Sequence, residues 1–561
     1  MDFEVWDSPV ADEFVRIIGS SLDPSDKDAD EQLEGSDQSQ EEARIPISDV
    51  YERAASYIAD FQATRGDIIR ATPCYEALRG FGWAFRFPKA ADYHRSFPTD
   101  KIQEFWSHSW HGSALRKIST VMVQKNGLAA ISAGTLASLL LVCLFVAGYL
   151  PGYERAPFQQ TGRDSYLFGI WGMVGGTLVA IVTLIGWQCR TPIFVDVMCI
   201  HQSDPGLKSE ALLSMGAFLQ SSESLHVWWD ETFVERLWCV FEVGAFLGSC
   251  KLSDSGRAKT LVIRPTMLGT SSIATFFSLF VAHVSFMVIP FDDLLLGWII
   301  FSVLFLAGGH FAARSLRSYF AAVEGMLVQL RNFRIREAKC QCCMEGHTED
   351  DSNPYCDREI ISICIRKWFG TESAFEKLVA TDVSAALARA LGDSSFSYRW
   401  LLMVSAPFYW GYMDQVAARL RAGDMKDAAV TAIITLTFSF LAFPFIGRLG
   451  IILACKARRQ RQQLWANELV TFAVFVAGFP VAGAILTMPH GGTMAAAEAK
   501  VRVEGLREWL QSGEGTFDIQ QKYAEIFYGW GYTSVPVTLV SCEGRGPTSL
   551  FVLLVLAGFG M

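Results

Sequence analysis

One acid stands alone in the stretch RLWCVFEVGAFL. From Leu237 to Leu247, Glu242 is the only ionisable side chain apart from the thiol of Cys239. On a helix its neighbours would be apolar, with Trp238 one turn earlier on the same face. A bare carboxylate is costly to bury. Glu242 must therefore be neutralised, paired with Arg236 or a backbone amide, or opened to a cleft. Other polar groups close short apolar runs: Ser107 and His108 in EFWSHSW, Asp196 in TPIFVDVMCIHQ, and Asp230 after LHVWW. Such positions serve turns and ligand contacts alike. A last cluster, AKCQCCMEGHTEDDSNPYC, sets Cys340, Cys342, Cys343, His347 and Cys356 close together. These are ligands enough for one tetrahedral structural zinc. The CxCC spacing matches no common finger, so reduced or lipid-modified cysteines are the alternative.

Elements must carry these residues to one place. Ile102 to Trp106 reads as a strand, followed by an amphipathic helix with Leu115, Ile118 and Val121 or Met122 at helical spacing. Ile193 to Val195 suits a buried parallel strand that Asp196 ends. A helix with Leu212, Met215, Phe218 and Leu219 on its apolar face comes next, then a strand from Leu225 to Trp229 and the helix bearing Glu242. Alternating strand and helix implies a doubly wound, flavodoxin-like parallel sheet, whose ligands gather beyond the strand carboxyl ends. Ser107, His108, Asp196 and Asp230 are therefore expected at one rim.

SHSW, a strand ending FVD, and RLWCVFEVGAFL together resemble the TIR (Toll/interleukin-1 receptor) domain, over about a fifth of the 561 residues. FVDVMCIHQ is also similar to a stretch of fungal heterokaryon-incompatibility domains. Asp230 stands where a Ser is common in TIR strands. In TIR domains that cleave NAD the glutamate of the WCxxE motif is catalytic, and the resemblance carries that role to Glu242. It would stabilise positive charge at the anomeric carbon while the nicotinamide glycosidic bond breaks. The resemblance makes NAD a candidate substrate, with Ser107, His108, Asp196 and Trp238 as contacts. Many TIR domains are instead non-enzymatic and assemble through their surfaces. That implies a signalling or assembly protein whose partners are further copies of itself or other TIR-like modules.

Composition points to lipid. The chain is 51% hydrophobic and 19% charged with mean hydropathy +0.25, against roughly 25% charged residues in soluble domains. Its formal charge of -10 comes from residues 1–44, where fourteen acidic side chains face Arg16, Lys27 and Arg44. No basic face for nucleic acid remains. The start, MDFEVWDSPVADEF, has neither a basic region nor an apolar core, which argues against a cleaved secretory signal. Thirteen scattered cysteines and the lack of an N-x-S/T sequon suit a reducing cytosol without a disulfide framework.

Runs of about 20 apolar residues can cross a bilayer as helices. Two hairpins of such runs are expected: Leu128 to Leu150 with Tyr166 to Trp187, and Met267 to Pro290 with Leu294 to Ala313, the latter joined near Asp292 and Asp293. Ala428 to Gly447 and Leu469 to Met488 are further candidates, while Trp400 to Met413 and Ser549 to Met561 are short. Basic residues before, between and after the hairpins place the N-terminus and the α/β module in the cytosol. The loop from Asp414 to Lys426 fits least, since it puts Arg419, Arg421 and Lys426 outside. The organisation read from the chain is an acidic disordered tail (1–44), an N-terminal cytosolic segment holding the first part of the module (45–127), a transmembrane hairpin (128–187) and the second part (188–260). A second hairpin (265–313), a Cys-containing cytosolic segment (314–396), further transmembrane helices (397–488) and a C-terminal segment (489–561) follow. A hairpin returns the chain to the side it left, so the two halves of the module can fold together. His283 and His310, if they face one another across the second hairpin, would allow a channel or transporter reading. Gly169, Gly172, Gly175 and Gly176 predict a close helix contact.

Overall fold

The structure, a computed structural model, describes residues 47–88, 93–154, 166–252, 259–288, 294–340, 343–344, 356–389 and 396–476. The acidic tail, the turn at Asp292 and Asp293, Cys342, His347 and everything beyond Val476, including the apolar run from Ser549, lie outside them.

Strands β1 (Arg70–Pro73), β2 (Phe97–Pro98), β3 (Ile102–His108), β4 (Tyr153–Glu154), β5 (Leu167–Phe168), β6 (Pro192–Phe194), β7 (Ser222–Trp229) and β8 (Thr260–Pro265) are joined mainly by helices. Those that position the site or the apolar bundle are α1 (Ile47–Ala59), α2 (Cys74–Arg86), α3 (Ala114–Val146), α4 (Trp171–Gly186), α5 (Pro205–Leu213), α6 (Met215–Gln220), α7 (Leu237–Leu252), α8 (Met267–Val288), α9 (Leu294–Arg331), α10 (Asp357–Phe369) and α11 (Ala406–Arg421). The chain is mostly helical around a mixed, largely parallel sheet of order β2-β1-β6-β3-β7-β8.

The pairing that the split module requires is present. β3 lies parallel to β6, with Glu104 opposite Ile193 and Phe105 opposite Phe194, although α3, the β4–β5 ribbon and α4 intervene in sequence. β3 is central rather than an edge strand, because β7 runs parallel along its other side from Ile102 to His108. Two features escaped the sequence reading. β8 adds a fourth parallel strand that ends at Pro265, past the boundary drawn at residue 260, and the short antiparallel β1 and β2 extend the sheet beyond β6. Four-residue and two-residue strands are too short to carry an alternation signal.

Alternation sorts the strand side chains onto two covered faces. Phe105, Phe194, Val227 and Trp229 pack with α1, α6, α7 and α10. Trp106, Ile193 and Trp228 pack with Ala77, Leu78, Ala84 and Phe85 of α2 and with Ile118, Val121 and Met122 of α3. Leu115, expected on that face, points outward at 56% exposure. The helix predicted through Leu212 and Leu219 is broken in two at Ser214, whose hydroxyl accepts a bond from the Thr64 amide at 3.0 Å.

Helix α3 has two environments. Its first turns cover the sheet, with Ser113 capping them through the Arg116 amide. Farther on, Leu128, Leu136 and Leu140 are exposed. At 1.5 Å per residue its 33 residues run roughly 50 Å. Among the described residues, three helices are long and apolar enough to cross a membrane by length and composition: Ala114–Val146, Met267–Ser285 and Met425–Lys456. The span expected from Tyr166 to Trp187 is a shorter helix, Trp171–Gly186, and the run expected at Leu469 to Met488 lies among the described residues only as far as Val476. The glycine run works within the first hairpin. A Cβ on Gly176 would stand 3.0 Å from the Gly134 carbonyl and against the Trp410 ring, so only glycine lets α4 and α3 close with that indole between them. Trp410 belongs to α11, which carries much of the ambiguous Trp400 to Met413 run and buries Trp410 and Asp414 completely.

Candidate functional site

The carboxyl ends of β3, β6 and β7 meet the start of α3 and the middle of α7. Ser107 ends the run of β3 side chains that face α7, and its hydroxyl donates to Glu242 Oε2 at 2.5 Å. The sequence reading offered Arg236 or a backbone amide as the partner of Glu242. Arg236 instead reaches across to His111, Nη1 to Nε2 at 3.4 Å, and the hydrogen bond to the acid among the described residues comes from the neutral Ser107 hydroxyl. Burial pushes the Glu242 carboxyl up to about 8, the Ser107 hydroxyl pulls it down in part, and the charge of Asp196 raises it further. Glu242 is thus largely protonated at neutral pH, yet its residue keeps a partly exposed surface. A protonated acid of this kind can donate or accept a hydrogen bond. It can also ionise when a cation arrives beside it, because an opposite charge offsets the burial penalty.

Asp196 lies at the same rim, half-buried, and accepts from Trp110 Nε1 at 2.8 Å and from the Val197 amide at 2.8 Å. Burial raises its carboxyl, against the pull of the Trp110 bond. Asp230 accepts through Oδ1 from both the amide and the hydroxyl of Thr232, at 2.9 and 2.6 Å. Its Oδ2 is buried and lacks a hydrogen-bond partner among the described residues. Gly112 abuts that oxygen so closely that a Cβ there would sit 1.6 Å from it.

Two of the expected contacts point elsewhere. Strand alternation turns His108 to the face opposite Ser107, where its ring lies 5.2 Å from Phe85 and 4.4 Å from Trp110. Burial, and then the Lys117 charge, hold its imidazole well below the usual range, so it is neutral. Trp238 turns away from Ser107, and its Nε1 donates to Asp357 Oδ2 on α10 at 2.9 Å. One turn of helix separates it from Glu242, but the two side chains serve different neighbours.

The residue missed by sequence reasoning is Lys117. It is 2% exposed, donates to the Ser109 carbonyl, and lies close enough to Asp196 and Asp230 to feel both charges. Its amine also stands 5.6 Å from the centre of the Trp110 ring. The sequence carries a signal for it: it precedes Val121 by four positions and so shares that buried face. The assembled rim holds three acids, one buried cation and the hydroxyls of Ser107, Ser109 and Thr232.

The cysteine cluster is only partly brought together. Cys343 and Cys356 place their sulfurs 3.5 Å apart, Cys340 is buried, and Cys342 and His347 lie outside the described residues. Among the described residues no group of three ligating side chains could hold a metal ion. The two histidines of the second hairpin do not face one another. His283 is buried against Phe408, Tyr412 and Gly411, whereas His310 Nε2 meets Glu468 Oε2 at 2.7 Å.

No family model matches the chain, and neither does any curated protein or solved structure.

Proposed function

We propose that the chain is a membrane-anchored, TIR-like signalling protein whose module self-associates on the cytosolic side, where its N-terminus also lies. The observation that carries this reading is the continuity of α3. One unbroken helix contributes Ile118 and Val121 to the sheet's core and then presents exposed leucines. A rigid helix shared between a soluble module and a lipid-facing hairpin fixes the module's height and tilt at the membrane. Copies so held meet with little orientational freedom left to lose, which lowers the entropic cost of association. Labelling full-length copies with donor and acceptor dyes and reconstituting them in vesicles tests this. Energy transfer that rises with protein density above a monomeric membrane-protein control is expected, and density-independent transfer at the control level would reject self-association.

A second reading, NAD cleavage, is favoured by the contact between Ser107 and Glu242 at the carboxyl rim. A cationic nicotinamide riboside beside Glu242 would draw off its proton, and the resulting carboxylate would stabilise charge at the anomeric carbon. Nicotinamide release by the reconstituted protein, abolished in Glu242→Gln, is the outcome that supports it. The transporter reading loses its motivating observation, since His283 and His310 have separate partners.

A further inference from the structure

The geometry points to Cys343 and Cys356 as a reversible thiol–disulfide site that clamps the first turn of α7. Both carry thiols, both are half-buried, and their sulfurs stand 3.5 Å apart. A disulfide needs roughly 2.05 Å, so a small side-chain adjustment joins them. Arg358 stands close enough to the pair for both cysteines to raise its guanidinium, and that charge is held in place by the carbonyls of Ile335, Arg336 and Ala338.

The chain on either side of the two thiols grips the same turn. Before Cys343, the Lys339 amide donates to the Glu235 carbonyl at 2.5 Å, and the Lys339 carbonyl accepts from the Leu237 amide at 3.1 Å. After Cys356, Asp357 accepts from the Trp238 indole at 2.9 Å. Joining the sulfurs links these two grips covalently and restrains Leu237 and Trp238, one turn before Glu242. The bond itself needs no assumption about what Glu242 does. Its effect on an activity of Glu242 rests on the reading given above.

The oxidant is a low-molecular-weight disulfide such as glutathione disulfide. One protein thiolate attacks it, forming a mixed disulfide and expelling a glutathione thiolate. The other protein thiolate then attacks the protein sulfur of that mixed disulfide and expels the second glutathione thiolate. The two protein thiols lose two electrons and two protons, and two glutathione thiols are formed.

The full-length protein in detergent micelles, equilibrated with reduced and oxidised glutathione, tests the site by peptide mass spectrometry and amide exchange. A peptide pair linked through residues 343 and 356 is expected, reversed by dithiothreitol, with exchange at Leu237 to Cys239 slowed by about tenfold. Cys343→Ser and Cys356→Ser should each remove the slowing while leaving exchange of the reduced protein unchanged. Three results would overturn the proposal. The two cysteines could stay reduced while others oxidise, for instance Cys189 with the neighbouring Cys74. The purified protein could retain stoichiometric zinc that these serine variants release. The bond could form without any change in exchange, which removes the clamp.

Discussion

Two acids interrupt apolar stretches of helix in different parts of the molecule. Glu242 lies in the sheet module and Asp414 in the helical bundle, and they meet their surroundings differently. Glu242 has one hydroxyl, from Ser107. Asp414, on α11, accepts from the Gly172 and Met173 amides at 2.8 and 2.9 Å, which are among the unpaired donors that open α4. Asp414 completes a helix by supplying the cap that Ile170 cannot. Glu242 completes nothing of the kind. It is held in a neutral state beside Asp196, at the end of a parallel sheet where ligands usually bind. An acid that satisfies backbone donors is a structural pin, whereas one met by a single hydroxyl at the rim of a parallel sheet is placed where ligands usually bind.

The sharpest way to separate the two regions is to disturb the bundle alone. Trp410→Ala removes the indole wedged between Gly134 and Gly176 and should cost roughly 3–5 kcal/mol, read by thermal unfolding in detergent. The ionisation of Glu242 should not move, and a shift in it would show that the regions are coupled. Asp414→Ala leaves two amides without their acceptor and should cost about 2 kcal/mol, with Asp414→Asn losing less because one acceptor remains. Equal losses in the two variants would deny the capping role.

For Glu242 the distinguishing test is pH. Its folded value of about 8 lies above the ordinary 4.5, so the folded state holds the proton longer than the unfolded chain. Its contribution to stability is complete below the ordinary value, falls as pH rises toward 8, and changes no further above it. The slope should reach up to about 1.4 kcal/mol per pH unit. Glu242→Gln cannot ionise, so denaturant titrations between pH 5 and 8 should lose that decline. An unchanged slope would mean that Glu242 is already charged in the folded protein. The smallest effect belongs to Ser107→Ala, about 1 kcal/mol. Because the hydroxyl lowers the Glu242 value, its removal should raise that value further, measurable by carboxyl infrared absorption. A fall would place the proton donor elsewhere.

Much of the module was legible beforehand. The apolar core of TPIFVDVMCIHQ, the strand before Asp230 and the isolation of Glu242 all mark elements that the structure contains, and the parallel pairing of β3 with β6 followed from the hairpin geometry. What was misread was facing. Ser107 and His108 are adjacent in sequence, so the reading sent both to one ligand, yet the period of two in a strand puts them on opposite faces. Trp238 and Glu242 share a side of α7 but answer to different neighbours. Trp238 is claimed by Asp357, more than a hundred residues later, and no local pattern announces such a partner.

The amino-acid sequence alone determined which segments prefer water, which prefer an apolar setting, and where single polar groups would be conspicuous, because transfer free energies and the periods of helix and strand are local properties. Only the tertiary structure decided that Ser107 answers Glu242, that Lys117 is buried beside two aspartates, and that Asp414 caps α4. Each of those pairings joins elements distant in the chain. Their partners are chosen by how the sheet and the helices close, which no window of sequence contains.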